Sequence, residues 1–432
     1  MSGLMLRPIT GPLNAVVQVP GSKSLTNRAL VVAALADGSS RLTGVLPADD
    51  TRHMIQCLRA LEIDLTFDEQ RCTVEVRGCG GRIPTDRADL YCGNSGTTMR
   101  FCTALAALGM GRYRLDGTQR MHERPIGDLV DALRSLGGRF EYHDTEGHPP
   151  LTVHAAGLTG GRVVFSGPPS SQMISGLLMA APLARGDVFI EVRKQLVSAP
   201  YVAMTVAVMR AFGVETVVRI EEGGARFIVA ESQRYHGREY EIEPDASNAS
   251  YFLAAPAIAG GQLTVQGLGT TSVQGDVKFV DLLEKMGCRV DRGSTWLTVH
   301  GPSSDRRLVG IDVDLNDMPD MAQTLAVVAL FAEGPTRIRN IANLRLKETD
   351  RLAALARELD RLGATVEIHA DGLTVHPPGQ VIPSAIDTYD DHRMAMSFAL
   401  AALAVEGMVI NDPGCVSKTF PDFFERWQGI SS

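Results

Sequence analysis

Apolar and polar positions along the 432-residue chain fall into two interleaved series. In the first, an alanine-rich apolar run opens on polar residues and closes on glycine. Its six copies are SKSLTNRALVVAALADG, NSGTTMRFCTALAALG, SSQMISGLLMAAPLARG, DASNASYFLAAPAIAG, MPDMAQTLAVVALFAEG and DDHRMAMSFALAALAVEG, ending at Gly38, Gly109, Gly186, Gly260, Gly334 and Gly407. The closing glycines recur every 71 to 77 residues. Each run is apolar nearly all round, the pattern of a helix enclosed by its own domain. The second series comprises RHMIQCLRALEIDL, IGDLVDALRSLGGRFEY, VAMTVAVMRAFGVETVV, FVDLLEKMGCRVD and RLAALARELDRLGATVEI. Apolar residues at three and four spacing, a charged face, a stop and a β-branched run predict helix, turn, strand in each. Leu61, Leu136, Phe212, Met286 and Leu362 stand at matching points, about 75 residues apart. Two series with one period predict a compact α/β unit used six times, with three units making a domain of ordinary size. So long a period excludes a solenoid of helix pairs.

The hydrophobic share of 44% and charged share of 21% are those of a folded, water-soluble protein. Against 50 acidic side chains stand 42 basic ones, a net charge of −8. That sign is wrong for a surface that grips nucleic acid or anionic membrane, so any anion site is a local basic pocket. Cysteines at 57, 72, 79, 92, 102, 288 and 415 are odd in number and form no CxxC pair. They suggest neither a disulfide framework nor a zinc site, and a reducing, cytoplasmic location is expected. The opening MSGLMLRPITGPL lacks a basic region followed by a long apolar core, and no apolar run approaches the ~18 residues of a spanning helix. No membrane partner is expected.

Chemistry gathers at the heads of the first series. These carry Ser22, Lys23, Ser24 and Arg28; Asn94, Gly96, Thr97 and Arg100; Ser170, Ser171 and Gln172; Asp320; and Asp391, His392 and Arg393. Free N–H groups and the positive end of the helix dipole make such positions anion sites. Gly21–Ser24 reads GSKS, but Ser22 and Val17 stand where a nucleotide P-loop needs glycine. GLGTTS at 267–272 lacks the third glycine of a dinucleotide loop, and HERPI at 122–126 lacks the second histidine of a zinc helix. Further bases lie at Arg124, Lys347, Arg351 and Lys418. Placed on one helix, Lys347 and Arg351 stand four apart and share a face. Asp320, Glu348 and His392 are candidate proton carriers.

Eight segments in order resemble the EPSP synthase family, the 3-phosphoshikimate 1-carboxyvinyltransferases of the shikimate pathway. They are PGSKSLTNRAL, GNSGTTMRF, RMHERPIGDLVDAL, SSQMISGLLMAAPL, LVSAPY, IANLRLKETDRL, DDHRMAMSF and DPGCVSKTFPDFF, spread from residue 20 to residue 424. The resemblance implies transfer of the enolpyruvyl group of phosphoenolpyruvate to the 5-hydroxyl of shikimate 3-phosphate by addition and elimination, with no metal or organic cofactor. It implies a monomer whose partners are these two small substrates, without nucleic acid. It implies an inside-out, barrel-like α/β fold of six βαβαββ repeats, three per domain, with residues 1–21 and 241–432 in one domain and 22–240 in the other.

Carried over by motif, Ser170, Ser171, Ser198 and Lys347 would hold the phosphate of shikimate 3-phosphate, and Ser24 and Arg28 its carboxylate, with Lys23 also on this substrate. Gln172, Tyr201, Asn343 and Asp320 would meet its ring and hydroxyls. Lys23, Asn94, Gly96, Arg124, Gln172, Arg351, Arg393 and Lys418 would surround phosphoenolpyruvate. Arginine suits that task because its planar fork meets carboxylate and phosphate oxygens bidentately. Asp320 would be the base at the hydroxyl, and Glu348, with Lys23 and His392, would carry the proton at the methylene. Phe101, Ala199 and Asp390 stand where relatives commonly have Pro, Lys and Asn. Phe101 bears on the response to glyphosate, a competitor of phosphoenolpyruvate. The UDP-N-acetylglucosamine enolpyruvyl transferases share the architecture and the donor but carry a reactive cysteine shortly before an Arg-Pro pair; LDGTQRMHERP at 115–125 has none. An RNA-binding relative is disfavoured by the acidic balance and an aromatic content of 6%. A non-catalytic phosphometabolite sensor is disfavoured because every candidate proton carrier is present.

Overall fold

A computed structural model describes residues 3–221, 223–303 and 307–430. The chain divides into two compact units: a split unit, Met1–Pro20 with Glu243–Ser432, and an inserted unit, Gly21–Ile242. The sequence places the crossings at 21/22 and 240/241, and the structure moves each by one or two residues. Glu241 falls in the inserted unit because the strand Glu239–Glu241 pairs in parallel with Ser39–Thr43. Gly21 joins it because its α-carbon lies against the Gly44 carbonyl, where a β-carbon would come within 1.7 Å.

The inserted unit holds helices α1 (Lys23–Leu35), α2 (Asp49–Ala60), α3 (Gly96–Ala106), α4 (Gln119–His122), α5 (Gly127–Ser135), α6 (Ser171–Ala180) and α7 (Ala199–Ala211). The split unit holds α8 (Ala246–Ala259), α9 (Phe279–Lys285), α10 (Ala322–Val328), α11 (Arg351–Arg361), α12 (His392–Ala399) and α13 (Phe423–Gly429). Both sequence series are present. Helix α1 is buried from Leu25 through Leu35, whereas α11 buries one stripe through Leu352, Leu355 and Leu359. The anchors Leu61, Leu136, Phe212, Met286 and Leu362 are the C-cap residues of α2, α5, α7, α9 and α11. The residue after each has positive φ, and it is glycine except at Glu62. That left-handed step ends the helix and turns the chain into the next strand.

Each repeat builds one sheet to one plan. Arg87–Tyr91 runs parallel to Met110–Asp116, which pairs antiparallel with Leu151–Ala156, and Arg139–Tyr142 closes the edge. The same parallel-then-antiparallel order recurs from Gly161 to Val229 and from Asp312 to His376. Two sheets take a strand from a distant stretch of the chain. Leu13–Val17 pairs in parallel with Gly261–Gln266, and Glu239–Glu241 with Ser39–Thr43. The sheet around Ala385–Ile386 and Val409–Ile410 is shorter, completed by Leu4–Met5. Each unit has its own apolar core around its buried helices, so each fixes its helix heads independently.

Candidate active site

In the inserted unit three helix heads carry the predicted groups. Ser22 caps α1, its Oγ accepting from the Leu25 amide. Lys23 follows, with Nζ 3.3 Å from Oδ2 of Asp50, a carboxylate buried in the first turn of α2. At α3, Ser95 is the cap and Gly96 the first helical residue. Arg124 donates from Nη1 to the Asn94 carbonyl oxygen at 2.9 Å and to its Oδ1 at 3.2 Å. Arg100 donates to the Gly96 carbonyl at 3.3 Å and to the Pro125 carbonyl at 2.5 Å. A β-carbon on Gly96 would lie 2.4 Å from Arg124 Nη2 and 2.8 Å from Arg100 Nη1. Glycine therefore lets two guanidiniums close on this head. At α6, Ser170 caps through the Gln172 amide, and Gln172 Nε2 donates to Thr97 Oγ1 at 3.2 Å, joining the α6 head to α3. Ser198, before α7, adopts a left-handed conformation, φ 55° and ψ 47°. For a non-glycine residue that costs about 1–3 kcal/mol and is characteristic of residues held for function.

Arg28 stands on α1. It is 1% exposed, and its guanidinium donates to Thr205 Oγ1 (2.7 Å), the Ser24 carbonyl (2.9 Å), the Tyr201 carbonyl (3.1 Å) and Ser175 Oγ (3.3 Å). The Phe101 ring lies 5.3 Å beneath it. Burial lowers its pKa to about 10, with the Tyr201 hydroxyl opposing. Arg28 thereby ties α1 to α6 and α7 and fixes the backbone at Ser24 and Tyr201.

In the split unit the predicted groups form one ionic cluster. Asp320, in the turn ahead of α10, receives Arg393 Nη2 at 2.8 Å, Arg351 Nη1 at 3.1 Å and Lys347 Nζ at 3.6 Å. Arg351, 1% exposed, also meets Glu348 Oε2 at 2.9 Å and both carboxylate oxygens of Asp391, at 2.7 and 3.2 Å. Burial alone would lower the Arg351 pKa, but Asp391, Glu348 and Asp320 outweigh it and hold the guanidinium charged. Asp391 caps α12 through the Arg393 amide, bringing buried His392 into the first turn. Arg393 Nη1 reaches the Tyr251 hydroxyl at 3.2 Å; burial pushes that phenol up to about 12, although Arg393 pulls the other way. Lys347 and Arg351 do not share a helix. Lys347 ends the 3-10 segment Ala342–Leu346, Asp350 caps α11 and Arg351 opens it, so a turn brings the two cations to Asp320. Asn343 Oδ1 in that segment is buried and has no hydrogen-bond partner among the described residues. Lys418 ends the segment Pro413–Lys418, which packs on α12.

Sequence reading did not assign roles to Asp50, Ser175, Thr205, Tyr251 or Asp391, although Asp391 heads the sixth run. These are partners of the predicted residues, and sequence distance hides them: Asp50 is 27 residues from Lys23, and Thr205 is 177 from Arg28. Among the described residues no group of three or more His, Cys, Asp or Glu side chains is placed to hold a metal ion, and no helix is long and apolar enough to cross a membrane.

Residues 8–427 match the family model of EPSP synthase (3-phosphoshikimate 1-carboxyvinyltransferase). The chain is 50% identical over 434 residues to the 3-phosphoshikimate 1-carboxyvinyltransferase of Sulfurovum sp. (strain NBC37-1), covering 100% of both proteins. It is 48% identical to that of Shewanella amazonensis, covering 100% of this chain and 99% of the relative. The solved EPSP synthase of Acinetobacter baumannii shares the fold, with a TM-score of 0.80 at 24% identity over 99% of this chain and 97% of that one. With its helix heads, its ionic cluster and this match along nearly its whole length, the chain belongs to the EPSP synthase family.

Proposed function

We propose that this protein transfers the enolpyruvyl group of phosphoenolpyruvate to the 5-hydroxyl of shikimate 3-phosphate, releasing phosphate. Family membership supports the reaction, and the cation-bound Asp320 supports the roles within it. In the first step the substrate hydroxyl loses a proton as its oxygen attacks C2 of phosphoenolpyruvate, and the methylene gains one. In the second the new methyl loses a proton while phosphate leaves. Asp320 is the base at the hydroxyl. Lys347, Arg351 and Arg393 all face its carboxylate. Glu348, oriented by Arg351, is the carrier at the methylene, aided by Lys23 and His392.

The remaining residues bind. Ser170, Ser171, Ser198 and Lys347 hold the shikimate phosphate, and Ser24 and Arg28 its carboxylate, Arg28 also fixing the backbone at Ser24. Gln172 and Tyr201 meet the ring, and the buried Asn343 Oδ1 accepts from a ring hydroxyl. Lys23, the Asn94–Gly96 backbone, Arg124, Arg351, Arg393 and Lys418 surround phosphoenolpyruvate and stabilise charge developing on the leaving phosphate.

The test is Asp320→Asn, which keeps the shape and one acceptor oxygen. Turnover should fall by at least ~10², while KM for shikimate 3-phosphate changes by less than ~3-fold. Near wild-type turnover would remove Asp320 from the mechanism.

A further inference from the structure

Helix α11 buries two charged side chains, and the proposed reaction uses only one. Arg351 opens the helix. Glu358 stands seven residues on, about 10 Å further along the same face. It is 0% exposed, and a carboxylate in such a place is costly unless its oxygens are bonded. Three donors fill them. Oε1 accepts from the Tyr389 hydroxyl at 2.6 Å, and Oε2 accepts from the Asp387 amide and from Arg361 Nη1, both at 3.1 Å. Arg361 Nη1 also meets Asp387 Oδ2 at 2.8 Å, and Asp387 Oδ1 accepts from Asn411 Nδ2 at 2.8 Å. Burial raises the Tyr389 phenol and the bond to Glu358 raises it further, so the hydroxyl stays protonated and donates.

The segment that Glu358 grips leads into α12. It leaves the strand Ala385–Ile386 and reaches the cap of α12, Asp391, in five residues. Tyr389 and Asp390 are both left-handed, φ 55° and 54°, a conformation that crowds the β-carbon of any residue but glycine. The Asp391 amide closes the turn on the Thr388 carbonyl at 2.9 Å. Asp391 then takes Arg351 Nε and Nη2 on its two oxygens and the Arg393 amide on one of them. Helix α11 and this segment are therefore joined at two points. Arg351 meets Asp391, and two turns on, Glu358 meets Asp387 and Tyr389. Successive left-handed residues persist only where their surroundings hold them. The second joint supplies that hold, through the side chain of one of the pair and the backbone two residues before it.

We propose that Glu358 and Tyr389 are positioning residues for phosphoenolpyruvate: their buried bond holds the left-handed pair Tyr389–Asp390 and so sets where Asp391 keeps Arg351 and the first turn of α12. Neither residue touches a substrate. When the bond is lost, the pair relaxes toward negative φ and the Asp391 carboxylate moves off Arg351. Arg351 and Arg393 then no longer face the donor together. The effect on phosphoenolpyruvate rests on the reading of these two arginines as its ligands, whereas the brace itself does not.

Steady-state kinetics on full-length Tyr389→Phe and Glu358→Gln tests this, with hydrogen exchange over residues 388–393 followed in parallel. Both variants are expected to raise KM for phosphoenolpyruvate about 5-fold or more, to leave KM for shikimate 3-phosphate within ~2-fold, and to speed exchange over 388–393. Tyr389→Phe keeps the ring and decides the matter if Glu358→Gln fails to fold. Asp390→Gly supplies the rescue: glycine takes φ near 54° freely, so in that background Glu358→Gln should raise KM for phosphoenolpyruvate by much less. The proposal is overturned if folded Tyr389→Phe leaves KM and exchange unchanged, or if both KM values rise together, as general loosening would produce. It is also overturned if the Glu358→Gln effect is undiminished beside Asp390→Gly. Faster exchange in the variants of a wild type that shows no enolpyruvyl transfer keeps the brace and overturns the functional reading instead.

Discussion

At Gly96 one absent methyl group decides how close Arg124 and Arg100 come to the head of α3. Alanine there would place its β-carbon 2.4 Å from one guanidinium nitrogen and 2.8 Å from the other. Both side chains must withdraw, while the backbone, which does not require positive φ here, stays as it is. Gly96→Ala is therefore expected to raise KM for phosphoenolpyruvate about 10-fold or more, to weaken competition by glyphosate, and to leave the melting temperature within a few degrees of wild type. Unchanged KM in steady-state kinetics would show that the two arginines do not act at this head. Tyr251 offers a second single-residue test. Its buried phenol titrates near 12, against 10.0 ordinarily, so between those values the native state holds a proton that the unfolded state has lost. Stability from this group is complete below pH 10 and falls as pH rises toward 12, by about 1.4 kcal/mol per unit. Tyr251→Phe should flatten that decline in denaturant titrations; parallel curves for the two proteins would contradict it. The reactive residue types were legible in the sequence because they stand at repeated helix heads. The inward turn of Arg28 was not, since Thr205 and Ser175 lie on other helices.

Among the elements, α12 shows how one side chain serves both a helix and a site. Asp391 caps the helix at the Arg393 amide and chelates Arg351 through both oxygens, with no exposure of its own. Asparagine keeps the cap and removes the charge, whereas alanine removes both. Asp391→Ala is expected to destabilise by about 3–5 kcal/mol because a buried guanidinium loses its closest counter-ion. Asp391→Asn should cost about 1 kcal/mol less, the value of the cap. Urea midpoints measure both, and a wild-type midpoint for the asparagine variant would mean that Glu348 and Asp320 suffice for Arg351. Helix positions were readable from periodicity, and the stops from a left-handed residue after each anchor. The error at Lys347 and Arg351 has a local cause: the four-residue spacing suits a helix, but Asp350 is a better cap than a helix interior residue, and its side chain takes the Ala353 amide.

For the whole molecule, the repeat period was visible because five four-stranded sheets reuse one plan and a three-stranded one shortens it. The pairings that cross between segments were not, because no local pattern links Glu239–Glu241 to Ser39–Thr43 about 200 residues earlier. Formation of the product tests the assigned reaction most directly. Purified protein is mixed with phosphoenolpyruvate and shikimate 3-phosphate without added metal, phosphate release is timed, and the organic product is identified by mass spectrometry. The result predicted is stoichiometric phosphate and 5-enolpyruvylshikimate 3-phosphate, with at least ~10²-fold slower formation by Asp320→Asn. No release with these substrates, but release when UDP-N-acetylglucosamine replaces shikimate 3-phosphate, would contradict it.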